Sequence, residues 1–119
     1  MTIKVLEKDV QRSILDFLKL KRLLAIRINS GGFPINRKDG SKGWARGADA
    51  GTADILAFTG ASVIWVECKS SVGKLTESQK EFKKKVEKLG HIYIVARSLD
   101  DVMGLFNQKP SRWDGADGF

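Results

Sequence analysis

The sequence predicts one α/β domain, a small mixed sheet flanked by helices. Three observations carry this reading. A chain of 119 residues fits a single domain able to bury a real core. Apolar residues recur at helical spacing in some segments and as short β-branched runs in others. The order of those segments is helix, strands, helix, strand, helix.

From Ile3 to Leu20 the apolar positions Ile3, Leu6, Val10, Ile14, Phe17 and Leu18 follow a helical period, with Lys, Asp, Gln and Arg between them. Leu23 to Asn29, "LLAIRIN", is rich in branched residues and stops at "SGG", a strand and then a turn. Phe33 to Gly51 contains Pro34 and many Gly, Lys and Arg residues, so a long loop or loose hairpin is expected. Two strands follow, Ala53 to Phe58 and Val63 to Lys69. A second helix is expected over Thr76 to Leu89, then a strand over His91 to Ala96. Ser98 reads as the N-cap of a last helix whose first turn carries Asp100 and Asp101, where carboxylates complement the helix dipole. The domain is expected to span residues 1–106, and residues 107–119 read as a C-terminal tail.

Composition narrows the chemistry. Twenty-one Lys and Arg against 14 Asp and Glu leave a net charge of +7, which favours a polyanionic partner. No apolar run approaches the ~20 residues of a membrane span, and the first residues lack the pattern of a signal peptide. A cytoplasmic location is the expectation. With one cysteine, Cys68, and one histidine, His91, neither an intramolecular disulfide nor a zinc site built from cysteine and histidine can form. Any metal would need oxygen ligands.

The informative stretch is "GTADILAFTGASVIWVECKS", Gly51 to Ser70. It looks like the buried centre of a sheet, yet it carries Asp54, Glu67 and Lys69. A two-residue turn at Gly60-Ala61, with Gly at the first position of a type II′ turn, pairs Thr59 with Ser62 and brings Asp54 opposite Glu67. Directly opposed residues hold their Cβ atoms roughly 5 Å apart on one face. Strand alternation puts Val63, Trp65, Glu67 and Lys69 on that face and Ile64, Val66 and Cys68 on the other. Two close carboxylates cannot both stay ionised in a partly buried place without a cation. Lys69 supplies one charge, and a hard divalent ion such as Mg²⁺ would supply more. A solvated charge pair on an exposed edge is the competing reading, but it requires exposure to begin abruptly at Glu67.

Two helices point at the same place. In the second, Phe82, Val86 and Leu89 form the apolar stripe, and Gln79 lies three residues before Phe82 and so faces the sheet. Thr76 and Gln79 also match a T-x-x-Q capping box, so a cap and a site residue are both open. Glu7 sits three residues before Val10 on the core-facing stripe of the first helix and is a candidate third carboxylate. Lys80, Lys84 and Lys88 share one face at i, i+4 and i+8, a spacing that suits a phosphate backbone or, more often, a plain solvated stripe. Cys68 reads as core, and His91 as structural.

The motifs "GTADI", "VECK", "LTESQKEFKKKVEKLG" and "IYIVARSLDDV" resemble the VRR-Nuc family of the PD-(D/E)XK nuclease superfamily, of the stand-alone phage or bacterial type. The resemblance covers about Glu7 to Val102; Ala53 stands where the superfamily name has Pro. It implies the restriction-endonuclease-like fold and a Mg²⁺- or Mn²⁺-dependent endonuclease. Asp54 and Glu67 would ligate the metal with the backbone carbonyl of Cys68, and Glu7 would reach it directly or through water. Lys69 would activate the attacking water, and Gln79 would hold the site from the second helix. Branched DNA such as Holliday junctions and a homodimer acting in a bacterial or phage-infected cell are the matching expectations. Arg37, Lys38, Lys42 and Arg46, with Lys80 and Lys84, are the candidate DNA contacts. The alternatives are a non-specific or restriction-like DNA nuclease and a catalytically silent nucleic-acid-binding module.

Overall fold

The computed structural model describes residues 7–28, 33–45 and 47–107. Arg46, the start of the expected first helix and the tail 108–119 lie outside the described residues. The elements are α1 (Glu7–Leu20), β1 (Leu24–Arg27), β2 (Phe33–Asn36), β3 (Lys42–Ala45), β4 (Ile55–Phe58), β5 (Val63–Cys68), α2 (Glu77–Lys88), β6 (Ile92–Ala96) and α3 (Leu99–Asn107). The order agrees with the sequence pattern, and the Gly-rich segment is a hairpin, β2–β3, forming its own two-stranded sheet. The α3 helix extends through Asn107, one residue into the expected tail.

The main sheet runs β1-β4-β5-β6, antiparallel except for the parallel pair β5 and β6, which α2 connects. Alternation along β5 and β6 explains why helices cover both faces. Ile64, Val66 and Cys68, with Ile92, Ile94 and Ala96, pack toward α1 and α3, where Val10, Ile14, Leu18 and Val102 complete the main core. Trp65, Tyr93 and Val95 project the other way and meet Phe82 and Val86 of α2 and the fully buried Ala53. Phe82 and Trp65 stack edge to face with centroids 4.9 Å apart. Ile14, Leu18, Ile55, Ile64, Val66 and Val102 are fully buried, each removal from water being worth roughly 1.5–3 kcal/mol.

Two details differ from expectation. Leu89 does not continue the apolar stripe: it is the C-cap of α2 and 75% exposed. The helix ends at Lys88, so the stripe is Phe82 and Val86. The β4–β5 turn is not type II′ either. Gly60 is not among the glycines at positive φ, and the Thr59 hydroxyl closes the loop by accepting from the N–H groups of Ser62 at 2.8 Å and Ala61 at 3.1 Å. A side chain thus does what a glycine conformation was expected to do. The register survives, because Phe58 pairs with Val63 and Ile55 with Val66.

Candidate active site

One step beyond the Ile55–Val66 pair, the register sets Asp54 opposite Glu67. Two contacts fix Asp54. Its backbone carbonyl accepts the Ile28 N–H at 2.7 Å, and its Oδ2 accepts the Cys68 N–H at 2.8 Å. The loop before it depends on Gly51, at φ 88°, where an added Cβ would collide with the backbone carbonyl of Ser78 in the first turn of α2. The absence of a side chain at Gly51 lets the Asp54 loop and the α2 N-terminus lie in contact.

Glu67 is the residue on which the site converges. It is only 3% exposed. Its Oε2 accepts from Gln79 Nε2 at 3.2 Å and lies 3.8 Å from Lys69 Nζ. Its Oε1 is buried and, among the described residues, without a hydrogen-bond partner. One carboxylate oxygen from each of Glu7, Asp54 and Glu67 lies within 4.8 Å of the others. Burial, followed by the negative charge of Asp54 and contact with its carboxyl group, pushes Glu67 up to about 8; Lys69 opposes this and Glu7 adds to it. With Glu67 ionised, Oε1 has no donor among the described residues.

A buried carboxylate oxygen without a donor, on a residue clustered with two more carboxylates, is what a hard cation would complete. Oxygen donors of this kind suit Mg²⁺ or Mn²⁺. The side chains present therefore fit a divalent metal.

The remaining expected residues divide. Gln79 makes two contacts at once: its Oε1 accepts the Thr76 N–H at 2.9 Å, completing the capping box, while its Nε2 donates to Glu67 Oε2. Lys69 is 14% exposed and its backbone N–H is held by the Ala96 carbonyl at 2.9 Å. Cys68 is fully buried, and burial with the nearby carboxylates pushes its thiol up to about 12, so it is no nucleophile. His91 Nδ1 accepts the Val63 N–H at 3.2 Å, a structural contact. Arg37 folds back over Gly43, donating to the Lys42 carbonyl at 2.9 Å, and with exposed Lys38 and Lys42 belongs to the separate β2–β3 hairpin. Lys80 and Lys84 are exposed on α2, with Lys80 3.4 Å from Glu77.

One residue escaped sequence reasoning. Tyr93 is buried beside the site, its hydroxyl unpartnered among the described residues, and its ionisation is pushed up by burial and then by Glu67 and Asp54. The parallel register Trp65–Tyr93 brings it there, and a parallel register leaves no local trace in sequence.

No protein-family model and no curated protein match the sequence. Among solved structures, one described as a "VRR_NUC domain protein" superimposes with a TM-score of 0.56 at 21% sequence identity, over 89% of this chain and 88% of that chain. Four mixed strands between helices are thus a shared architecture, and the chain has the fold of that VRR_NUC domain protein.

Proposed function

We propose that this protein is a VRR-Nuc-type, divalent-metal-dependent endonuclease that hydrolyses phosphodiester bonds in DNA. The observation that carries the reading is the convergence of Glu7, Asp54 and Glu67 within 4.8 Å, with Lys69 and Gln79 both on Glu67. Asp54, Glu67 and the Cys68 carbonyl would hold the ion, with Glu7 directly or through water. The chemistry supplied there by a divalent ion would be neutralisation of the carboxylates and stabilisation of charge developing on a phosphate.

The chain's own groups supply the rest. The Lys69 ammonium, a donor on the same face as Glu67, orients a water for attack and offsets negative charge on the phosphoryl oxygens. Gln79 holds the Glu67 carboxylate in one rotamer, and the Cys68 N–H does the same for Asp54. The +7 net charge supports a nucleic-acid substrate. Branched DNA and a homodimer complete the proposal. Leu24, Ile26 and Phe58, on edge strand β1 and its neighbour, are 63%, 41% and 39% exposed and give a second copy an apolar surface to cover.

The test is cleavage of a four-way junction and a linear duplex with Mg²⁺, Mn²⁺ or EDTA, alongside the mass in solution. Metal-dependent cutting of the junction by a dimer is expected. Lys69→Ala should lose roughly a hundredfold or more in rate and keep DNA binding. Unchanged cutting by Asp54→Ala would sink the proposal.

A further inference from the structure

A groove of about 410 Å³ lies between α1 and β1, lined by Lys8, Asp9, Gln11, Arg12, Leu15 and Arg27. Its size suits a nucleotide-sized ligand. Four of its residues, Lys8, Gln11, Arg12 and Leu15, stand at i, i+3, i+4 and i+7 and so form one stripe of the helix, adjacent to the buried stripe Val10, Ile14, Leu18. Glu7 precedes Gln11 by four residues, so the site carboxylate caps the same stripe. From the other wall, Arg27 pairs with Ile55, the neighbour of Asp54, and the residue after it, Ile28, donates its N–H to the Asp54 carbonyl. Each wall of the groove is therefore continuous in the chain with a segment that meets the carboxylate cluster, Glu7 on α1 and Ile28 just after β1.

Its charge is opposite to that of the site. Three cations, Lys8, Arg12 and Arg27, face one carboxylate, Asp9; all four are exposed, and among the described residues none of the three cations is ion-paired. Lys8 and Arg12 are separated by about 6 Å along the helix axis, so the charge is strung along a line leading to the site. A chain of phosphates matches such a line better than one compact anion does. Unpaired cations next to a carboxylate cluster also meet an electrostatic need: a polyanion approaching Glu7, Asp54 and Glu67 is repelled by them, and flanking positive charge offsets that repulsion.

We infer that this groove is the track of the strand being cut, with Lys8, Arg12 and Arg27 holding the phosphates that flank the scissile one. The inference rests on the nuclease reading and adds a surface distinct from the β2–β3 hairpin and from the lysines of α2. Such contacts position the backbone and read no sequence.

The experiment compares wild type, the triple variant Lys8→Gln/Arg12→Gln/Arg27→Gln, and Lys83→Gln on α2, whose ammonium is paired with Glu87, by fluorescence anisotropy with a labelled duplex and a labelled four-way junction in EDTA across a salt series. Cleavage in Mg²⁺ is followed in parallel. Each phosphate contact contributes about 0.9 to the slope of log affinity against log salt on duplex, so the triple variant should bind every sequence more weakly with a slope shallower by roughly two to three. Its cleavage should show a raised KM with kcat kept, its thermal transition should stay within a few degrees of wild type, and Lys83→Gln should keep the wild-type slope. A triple variant with an unchanged slope, while wild type binds and cuts, overturns the groove and leaves the nuclease reading standing. A loss of kcat with the slope unchanged likewise overturns it. Wild type that neither binds nor cuts DNA overturns both.

Discussion

Replacing Glu67 by Gln removes an ionisable group from among the other carboxylates while keeping an acceptor for Gln79. Glu67 rises from 4.5 to about 8 in the folded protein, first through burial and then through Asp54. Between those two pH values the folded chain holds a proton that the unfolded chain has released. Unfolding then releases a proton, so this group's contribution to stability is greatest below pH 4.5 and is lost as pH climbs toward 8. At about 1.4 kcal/mol per pH unit the full loss is of the order of 5 kcal/mol. Urea denaturation in EDTA between pH 5 and 9 reads the effect directly. Wild type should weaken across this window, while Glu67→Gln should stay more nearly level and be the more stable protein above pH 8. Adding Mg²⁺ or Mn²⁺ at a hundredfold its dissociation constant should return about 2.7 kcal/mol to wild type and little to the variant. Wild-type stability that holds level from pH 5 to 8 in EDTA, or a variant no more stable than wild type at pH 8.5, would refute the account of Glu67 as a carboxylate buried among like charges.

Gly51→Ala and Gly90→Ala make a matched pair, since both glycines have φ near +85° but an added Cβ meets the Ser78 carbonyl at Gly51 and open space at Gly90. Gly90→Ala should cost about 1 kcal/mol in urea denaturation and leave cleavage unchanged, whereas Gly51→Ala should cost more, roughly 2–3 kcal/mol, and slow cleavage by displacing the turn that carries Gln79. Tyr93→Phe should be neutral or stabilising by up to about 1 kcal/mol by the same measurement, because it removes a buried hydroxyl that has no partner among the described residues; a loss above 1 kcal/mol would show that the hydroxyl is bonded in solution.

What the sequence made legible was whatever depends on short-range counting. Asp54 opposite Glu67 follows from a tight connection at Gly60 and a period of two, and it holds although the turn chemistry was misjudged: register depends on loop length, whereas turn type depended on Thr59 competing for the Ser62 N–H. Glu7 and Gln79 could be placed on the correct helix faces but not on Glu67, because their arrival there depends on how α1 and α2 dock across a sheet whose order was unknown. Leu89 fitted the apolar period and is nonetheless exposed, since a helix that ends at Lys88 no longer carries it round to the sheet. Tyr93 and the α1–β1 groove needed strand pairings that bring together residues far apart in the chain, Trp65 with Tyr93 and Arg27 with Ile55.

Gln79 has one amide and two obligations. With Oε1 committed to the Thr76 N–H, the end that faces Glu67 is necessarily the NH₂. The start of α2 thereby dictates the polarity offered to the site, and rotating the amide to suit a different ligand would unfasten the helix. Residues 67, 76 and 79 are thereby coupled through one side-chain amide. Double-mutant cycles among them should be far from additive, while the same substitutions scored singly would mistake one constraint for three.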